Sequence, residues 1–392
     1  MEEIMKKAET YLLHTYNRYP VVLDYGKGVY LYDTNGKKYL DFGSGIGVCA
    51  LGYGDEELNE AIKAQVDKLL HTSNLFYHKP LAEAVEKLAG ITKMDRIFMT
   101  NSGTEAIEGA LKLARKYALQ KGYKNRTEIV SMNKAFHGRS MGALSVTGTV
   151  KYRTPFEPLI SGVTFADYND LESVKAAVSD KTCAIILETL QGEGGIYEAE
   201  DSFVKGIRKL CDEKDIVMIC DEIQCGMGRT GDYFAYEKYG IYPDVVTMAK
   251  GIGSGVPVGA FAVSEKAAVG LEAGDHGTTF GGNPLVTAAI SKNIDIFKER
   301  NLVAHVREVG GYLTEKLAEL KERKSVITDC RGRGLMQGIE CSKPVAPMIA
   351  AAMEKGVILI AAGVNVIRFL PPLVIEKEHI DELISILDEV LE

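Results

Sequence analysis

The 392-residue sequence predicts an α/β fold, with a large domain built on a mostly parallel sheet and a smaller α+β domain. Short apolar runs alternate with helix-like segments between about residues 95 and 265, which is typical of a parallel sheet covered on both faces. The pattern changes past about residue 290, where two helical stretches lead into short strands separated by further helices. A chain of this length buries enough apolar surface to fold without disulfides or a structural metal.

The composition excludes several classes of protein. Hydrophobic residues make up 46% of the chain and charged residues 26%, so a disordered, collagen-like or coiled-coil protein is excluded. The net charge is −8 and no dense Lys/Arg run occurs, so we expect no nucleic-acid partner. No apolar run reaches the roughly 18 residues that a membrane span needs, and the charged first residues are unlike a signal peptide. Seven cysteines without paired CxxC motifs indicate reduced thiols, no metal site and a cytoplasmic protein.

The apolar pattern also places the individual elements. Strands of the large domain are predicted at 96–100, 128–132, 183–188, 216–221, 244–249 and 258–263, with helices at 104–120, 172–179 and 201–214. Later helices are predicted at 285–299, 301–322, 345–355 and 377–391, and later strands near 334–340 and 357–361. Near the N-terminus, the Thr34-Asn35-Gly36 turn predicts a hairpin, and Asp55 is expected to cap a helix. We predict an N-terminal segment (1–55) that packs with the small domain, a large domain (56–290) and a C-terminal small domain (291–392).

Polar residues follow several of these strands, where ligands bind in open α/β sheets. Ser102, Gly103 and Thr104 stand between the strand 96–100 and the next helix, whose free N–H groups would suit a phosphate. An ordinary Ser/Thr helix cap is the alternative interpretation.

Two further strand ends carry ionisable residues. The apolar strand 216–221 ends in Asp221, followed by Glu222, and a buried carboxylate needs a cation or donor such as a protonated pyridine nitrogen. Lys250 follows the strand 244–249 and precedes a Gly-rich loop, where a desolvated lysine can form a Schiff base with a carbonyl. Asp221 could instead be an ordinary loop acid, and Lys250 could instead reach solvent.

The loop after 128–132 adds an aromatic and a cation. Phe136 could stack on a planar ring, although it could equally pack in the core, and Arg139 could bind a carboxylate. A phosphate site, an acid, a stacking ring and a Schiff-base lysine together predict pyridoxal phosphate as cofactor. No P-loop motif is present, and the seven histidines form no metal-binding pattern.

At these residues the sequence resembles the class III pyridoxal-phosphate aminotransferases, from about residue 20 to the C-terminus. The matching motifs are NSGTEA (101–106), FHGR (136–139), QGEGG (191–195), DEIQCGMGRTG (221–231) and HGTTFGGNP (276–284). The resemblance implies fold type I, with pyridoxal 5'-phosphate bound in the large domain 56–290. It also implies a homodimer whose subunits share their active sites.

The resemblance implies roles residue by residue. Lys250 would carry the cofactor and Asp221 would pair with its pyridine nitrogen, and these are the expected catalytic residues. The expected cofactor-binding residues are Ser102, Gly103, Thr104, Phe136, Asp221, Glu222, Ile223, Gln224, Lys250 and, from the neighbouring subunit, Thr279. The expected substrate-binding residues are Arg139, Thr278, Glu193 and Arg368. Arg368 would bind the α-carboxylate of glutamate, and Glu193 would pair with Arg368 when another substrate is bound.

Within the family, the resemblance favours transfer of an amino group from N2-acetyl-L-ornithine to 2-oxoglutarate. The products would be N-acetylglutamate 5-semialdehyde and L-glutamate, as in arginine biosynthesis. The donor could instead be 4-aminobutyrate, succinylornithine or ornithine. Ile46 stands where ornithine aminotransferases have a tyrosine, which counts against free ornithine. Two further hypotheses are an aminomutase or epimerase on the same scaffold and a non-catalytic oligomeric protein that keeps the fold.

Overall fold

A computed structural model describes residues 1–391, and residue 392, the last of the expected small domain, lies outside the described residues. The fold is built on a seven-stranded sheet. Its strands lie in the order Arg96–Thr100, Gly259–Val263, Val245–Ala249, Val217–Asp221, Thr182–Leu187, Glu128–Met132 and Val163–Ala166. Gly259–Val263 runs antiparallel to both neighbours, and the other strands all point the same way. The predicted α/β fold with a mostly parallel sheet is therefore confirmed.

Helices cover both faces of this sheet. Every residue of the central strands Thr182–Leu187, Val217–Asp221 and Val245–Ala249 is buried. Alternate residues of these strands belong to two separate apolar clusters, because successive side chains of a strand point to opposite faces. One cluster includes the buried face of helix Gly103–Gln120, and the other includes that of helix Asp201–Lys214. Near-continuous apolar strands are what this double burial requires.

The remaining elements complete the description. The α-helices are Glu2–Tyr11, Ser44–Gly47, Glu56–Val66, Lys79–Thr92, Gly103–Gln120, Met141–Ser145, Val150–Arg153, Leu171–Ala177, Asp201–Lys214, Glu265–Ala268, Pro284–Glu299, Leu302–Arg323, Ala346–Glu354 and Lys377–Val390. The 3-10 helices are Thr154–Phe156, Ala235–Tyr239 and Lys250–Ile252. The strands outside the main sheet are Leu23–Lys27, Tyr30–Asp33, Lys38–Asp41, Leu190–Gln191, Tyr197–Glu198, Ile327–Arg333, Met336–Cys341, Val357–Ile358, Ile360–Ala362 and Val366–Phe369.

The two ends of the chain meet in one sheet. Tyr30–Asp33 and Lys38–Asp41 form the predicted hairpin, and the C-terminal strand Val357–Ile358 pairs in parallel with Lys38–Asp41. The predicted helix cap is also present, since Asp55 Oδ1 accepts a hydrogen bond of 3.0 Å from the Leu58 amide. The strand pairing brings residues 40–41 next to residues 357–358, and the packing of the whole segment 1–55 with a small domain stays a prediction.

The C-terminal region forms a second, four-stranded sheet. Its strands lie in the order Ile327–Arg333, Met336–Cys341, Val366–Phe369 and Ile360–Ala362. Helix Pro284–Glu299 runs across residue 290 and packs against helices of the large domain, so the domain limits 1–55, 56–290 and 291–392 stay a prediction. All seven cysteines lie among the described residues and are free, and none of the helices in residues 1–391 is long and apolar enough to cross a membrane.

Gly109 tests how tightly helix Gly103–Gln120 packs on the sheet. A Cβ at Gly109 would lie 2.2 Å from Cε1 of the buried Phe261 ring, so Gly109→Ala forces the helix or the ring to move. We expect a loss of about 1–3 kcal/mol in the free energy of unfolding, measured by denaturant titration. Gly90→Ala is the matched control, because Gly90 is exposed on a helix and its Cβ would meet nothing within 4 Å. The control should be neutral or stabilising by about 0.5–1 kcal/mol, and equal effects of the two substitutions would contradict the packing.

Candidate functional site

A cavity of about 170 Å³ lies beside the carboxyl ends of the strands Val217–Asp221 and Val245–Ala249. Its lining residues are Gly103, Thr104, Phe136, His137, Gly138, Glu188, Asp221, Ile223, Gln224, Ala249 and Lys250. The structure therefore brings together seven of the residues that the sequence predicts for the cofactor. A larger cleft of about 770 Å³ near the N-terminal helix is mainly apolar, whereas the smaller cavity combines a lysine with two buried carboxylates.

Asp221 is held in place by three hydrogen bonds. Its side chain is buried, with 3% of the residue exposed. Oδ1 accepts from the Ile223 amide at 3.0 Å and from Thr247 Oγ1 at 3.2 Å, and Oδ2 lies 2.7 Å from His137 Nδ1. These donors stabilise a charged carboxylate away from water, as a buried acid requires. Asp221 thus stands at the predicted strand end with both carboxylate oxygens in contact with fixed partners, and Oδ2, with one such contact, can accept a further hydrogen bond.

His137 was not predicted as a site residue, although it stands inside the FHGR motif. Its Nδ1 lies 2.7 Å from Asp221 Oδ2, which orients the imidazole ring against that carboxylate. The Nε2 atom of the ring is buried and has no hydrogen-bond partner within residues 1–391. Gly138 next to it has φ of +134°, and a Cβ there would lie 2.5 Å from Thr104 Oγ1. Glycine is therefore required for the loop to approach the helix that begins at Gly103.

Lys250 reaches the cavity from the neighbouring strand. Burial, together with nearby Arg368, lowers the pKa of its ammonium from 10.5 to about 8, while Glu193 and Asp221 act in the opposite direction. Its backbone lies in the left-handed region with φ of +47°, which is strained for a lysine. The Lys250 amine makes no hydrogen bond or ion pair with the described residues. A partly neutral, unpaired amine in a cavity is suited to nucleophilic attack or proton transfer.

The amino end of helix Gly103–Gln120 forms the other wall of the cavity. Gly103 and Thr104 line it, so free N–H groups of the first helical turn are available for an anion. Ser102 does not line the cavity. Its Oγ accepts from the Glu105 amide at 3.4 Å, so Ser102 acts as an ordinary helix cap.

Glu222 is not brought to the cavity, contrary to the expected cofactor contact. Its carboxylate accepts hydrogen bonds from the Ala235 amide at 2.8 Å, the Tyr236 amide at 2.9 Å and Thr189 Oγ1 at 3.2 Å. Burial raises the pKa of the Glu222 carboxyl to about 7. Neighbouring side chains of an extended segment point in opposite directions, so Glu222 faces away from the side that Asp221 occupies. Glu222 thus accepts from the first two amides of the 3-10 helix Ala235–Tyr239.

Glu188 lines the cavity although the sequence analysis did not select it. Its Oε1 accepts from the Phe136 amide at 2.9 Å, and its Oε2 accepts from the Gly192 amide at 3.1 Å. Burial raises the pKa of this carboxyl to about 7. Glu188 therefore links the loop that carries Phe136 to the loop that carries Glu193. The available signal was the same one that indicated Asp221, an acid directly after an apolar run.

Arg368 and Glu193 form an ion pair next to the cavity. Arg368 Nη1 lies 2.6 Å from Glu193 Oε1 and donates to Gln224 Oε1 at 3.0 Å, and Gln224 lines the cavity. Arg368 is 3% exposed, and a buried cation needs such acceptors to offset its loss of hydration. The two side chains are thus paired in this structure, and their pairing while another substrate is bound stays a prediction.

Arg139 lies at the outer side of the site. Its side chain is exposed, and its guanidinium carbon is 3.8 Å from the centre of the Tyr152 ring and 5.5 Å from that of Phe136. Within residues 1–391, Arg139 makes no side-chain hydrogen bond or ion pair. Its donors therefore stay available for a ligand.

Thr278 and Thr279 lie in the loop before helix Pro284–Glu299. Thr278 Oγ1 accepts from Asn101 Nδ2 and from the Gly281 amide, each at 3.1 Å, so Thr278 joins this loop to the NSGTEA segment. Thr279 is exposed and does not line the cavity of its own chain. No cluster of His, Cys, Asp and Glu suited to a metal ion occurs in the described part of the chain.

Comparison with known proteins identifies similar sequences over almost the whole chain. The family model for class III aminotransferases matches residues 11–391. An acetylornithine aminotransferase from Methanocaldococcus jannaschii is 48% identical over 97% of this chain and 96% of its own length. One from Aquifex aeolicus is 47% identical over 97% of this chain and 100% of its own. The crystal structure of an ornithine aminotransferase from Toxoplasma gondii superimposes with a TM-score of 0.96 at 28% identity, covering 100% of this chain and 94% of that chain.

The pKa of Glu188 predicts a change in stability with pH. Because burial raises this pKa from 4.5 to about 7, the folded state keeps a proton that the unfolded state has released between these two pH values. The free energy of unfolding therefore falls as pH rises through this interval, by up to about 3 kcal/mol from this group. Glu188→Gln should remove that contribution, so denaturant titrations of the ligand-free variant from pH 4.5 to 7.5 should give a flatter profile than the wild type.

The exposed Glu86→Gln provides the control for this experiment and should leave the profile unchanged. Identical profiles for the wild type and Glu188→Gln would contradict the raised pKa.

Proposed function

The chain belongs to the class III aminotransferases, and from this we propose that it transfers the terminal amino group of N2-acetyl-L-ornithine to 2-oxoglutarate. The products are N-acetylglutamate 5-semialdehyde and L-glutamate, a step of arginine biosynthesis. The cofactor of the family is pyridoxal 5'-phosphate. The observation that carries the chemistry is an unpaired lysine, its pKa lowered to about 8, in the same cavity as a buried aspartate that is held by three hydrogen-bond contacts.

The residues of the cavity fit this cofactor. Lys250 would hold it covalently, and Asp221 would stabilise the proton on its pyridine nitrogen. The amino end of helix Gly103–Gln120 suits the phosphate. Gly103 lets the first turn of this helix lie close to the Ile223 side chain, because a Cβ at Gly103 would lie 2.9 Å from Ile223 Cδ1. Phe136 and Ile223 offer apolar contacts for a planar ring. When bound, pyridoxal phosphate draws off the electrons that are left on the amine-bearing carbon of a substrate once its proton is removed.

Lys250 performs the proton transfers in this proposal. A pKa of about 8 leaves a useful fraction of the amine neutral near neutral pH, so Lys250 can accept a proton from the amine-bearing carbon and later return it. The Asp221 side chain is held in a fixed position for its role by contacts with His137, Thr247 and the Ile223 amide.

Two arginines bind the carboxylates of two substrates of different length, N-acetylornithine and glutamate. We assign Arg139 to the distal carboxylate of N-acetylornithine, since its guanidinium is exposed and unpaired among the described residues. Arg368 is assigned to the α-carboxylate of glutamate. Glu193 pairs with Arg368 while N-acetylornithine is bound. When glutamate is bound, its α-carboxylate displaces Glu193 from the N–H groups of Arg368.

We further propose that the enzyme is a cytoplasmic homodimer in which the partner subunit's Thr279 completes the phosphate site. Free thiols support a reducing compartment. Large apolar side chains are exposed close to the Thr279 loop, which favours burial in a subunit interface. They are Leu75, Phe76, Tyr77 and Phe280.

A steady-state comparison of amino donors tests the proposed function. With 2-oxoglutarate as acceptor, N-acetylornithine should give the highest kcat/KM among N-acetylornithine, succinylornithine, ornithine and 4-aminobutyrate. A higher kcat/KM with 4-aminobutyrate or ornithine would replace the proposed donor. Turnover without any requirement for 2-oxoglutarate would indicate an aminomutase or epimerase instead.

Arg139→Lys should weaken use of N-acetylornithine. Lysine keeps the charge but cannot bind a carboxylate in two-point fashion, so we expect at least a tenfold lower kcat/KM, roughly 1.4 kcal/mol. A simple amine without a distal carboxylate should be affected less. Arg153→Lys is the matched control, because Arg153 lies over the Phe165 ring rather than at the cavity. If both kinds of donor lose activity equally, Arg139 does not bind the distal carboxylate.

Mixed dimers test whether the active sites are shared. Lys250→Ala and Thr279→Ala each damage a different part of one composite site, so subunit exchange between the two variants should restore one intact site in each mixed dimer. The regained activity should exceed the sum of the separate variants, measured after exchange is verified with differently tagged subunits. An absence of regained activity after verified exchange would contradict the shared site.

A further inference from the structure

Tyr152 connects the two residues of the FHGR motif that the proposed function uses. It belongs to the short helix Val150–Arg153, outside the motifs that suggested the family. Its ring lies 3.8 Å from the Arg139 guanidinium carbon. The same ring meets Phe136 edge to face, with ring centres 6.1 Å apart and planes at 83°. No role was assigned to this residue from the sequence.

Arg139 needs an external constraint to bind a substrate efficiently. A long, exposed arginine side chain loses roughly 2 kcal/mol of rotamer entropy when it is fixed. Within residues 1–391 no carboxylate or carbonyl restrains the guanidinium, so hydrogen bonding does not orient it. The aromatic contact with Tyr152 is the closest restraint on that group, and Phe136 is more distant at 5.5 Å.

Stacking is a suitable restraint for this purpose. A guanidinium over a ring contacts it through the cation's π face, so its N–H donors remain at the edge for a carboxylate. An acidic partner would restrain the arginine equally well, but it would compete with the substrate for the same donors. Binding improves when a group is held in its binding orientation beforehand, because less entropy is lost on association.

We propose that Tyr152 is a positioning residue that holds the Arg139 guanidinium in place for the distal carboxylate of the amino donor. This proposal rests on the proposed function, which supplies the carboxylate. The aromatic face is what the proposal requires. The Tyr152 hydroxyl makes no hydrogen bond among the described residues, so the ring should suffice without it.

Three variants separate this role from packing. Tyr152→Leu removes the aromatic face, Tyr152→Phe keeps it, and Tyr152→Met is a second non-aromatic replacement if the leucine variant does not fold. Tyr152→Leu should raise KM for N-acetylornithine roughly two- to fivefold with kcat nearly unchanged. Tyr152→Phe should retain the wild-type KM, and an amine without a distal carboxylate should show no change with either variant. Thermal unfolding and cofactor loading establish that the variants are folded.

Combining Tyr152→Leu with Arg139→Lys gives the decisive comparison. If Tyr152 acts through Arg139, Tyr152→Leu should add little to the effect of Arg139→Lys when both are present. Independent, multiplying effects of the two substitutions would overturn the proposal. So would a KM increase in Tyr152→Phe equal to that in Tyr152→Leu, or a fall in kcat shared by all donors.

Failure of the Tyr152 proposal can be distinguished from failure of the proposed function. If the donor comparison favours succinylornithine, ornithine or 4-aminobutyrate, each of these also carries a distal carboxylate. The same variants are then measured with the preferred donor, and the expected rise in KM is the same. A preferred donor without a distal carboxylate would overturn both proposals.

Discussion

The buried carboxylate of Asp221 is the constraint on which the rest of the site depends. A charged group at this depth is stable because His137, Thr247 and the Ile223 amide all donate to it. Those donors come from the strand next to Asp221, the turn after it and a distant loop. Holding one charge therefore fixes the relative positions of three segments, and the loop that carries His137 brings Phe136 to the same cavity.

Lys250 derives its chemistry from the same burial. The neighbouring strand ends one residue before it, so the amine enters the cavity beside Asp221 without needing a partner of its own. Removal from water lowers the pKa of the amine to about 8, and the surrounding acids limit how far it falls. The positive charge of Arg368 lowers the pKa of Lys250, and the negative charge of Glu193 raises it. The ion pair of Arg368 and Glu193 therefore also affects the pKa of the lysine. The charges of the site are thus mutually dependent.

The sequence predicted most of the main sheet and many of its ligand-facing residues, for a physical reason. Strands buried on both faces must be continuously apolar, so their ends are visible, and Asp221 and Lys250 stand at such ends. Val163–Ala166 was missed because this edge strand is partly exposed and lacks that pattern. Glu222 was wrongly expected at the cavity because side-chain direction depends on the exact backbone after the strand. His137 and Tyr152 contact Asp221 and Arg139, which are distant from them in sequence or not indicated by their immediate neighbours, whereas Glu188 carried the same signal as Asp221, an acid after an apolar run.

The central claim is that Lys250, in this cavity, holds pyridoxal phosphate. Reduction of the holoenzyme with borohydride, followed by proteolysis and mass spectrometry, tests it most directly. The account requires the added cofactor mass on the peptide that contains Lys250, and its loss in Lys250→Ala. Lys112→Ala, which changes a lysine outside the cavity, should leave the labelled peptide unchanged. Cofactor mass fixed on another lysine of the wild-type enzyme, or undiminished labelling in Lys250→Ala, would contradict the account.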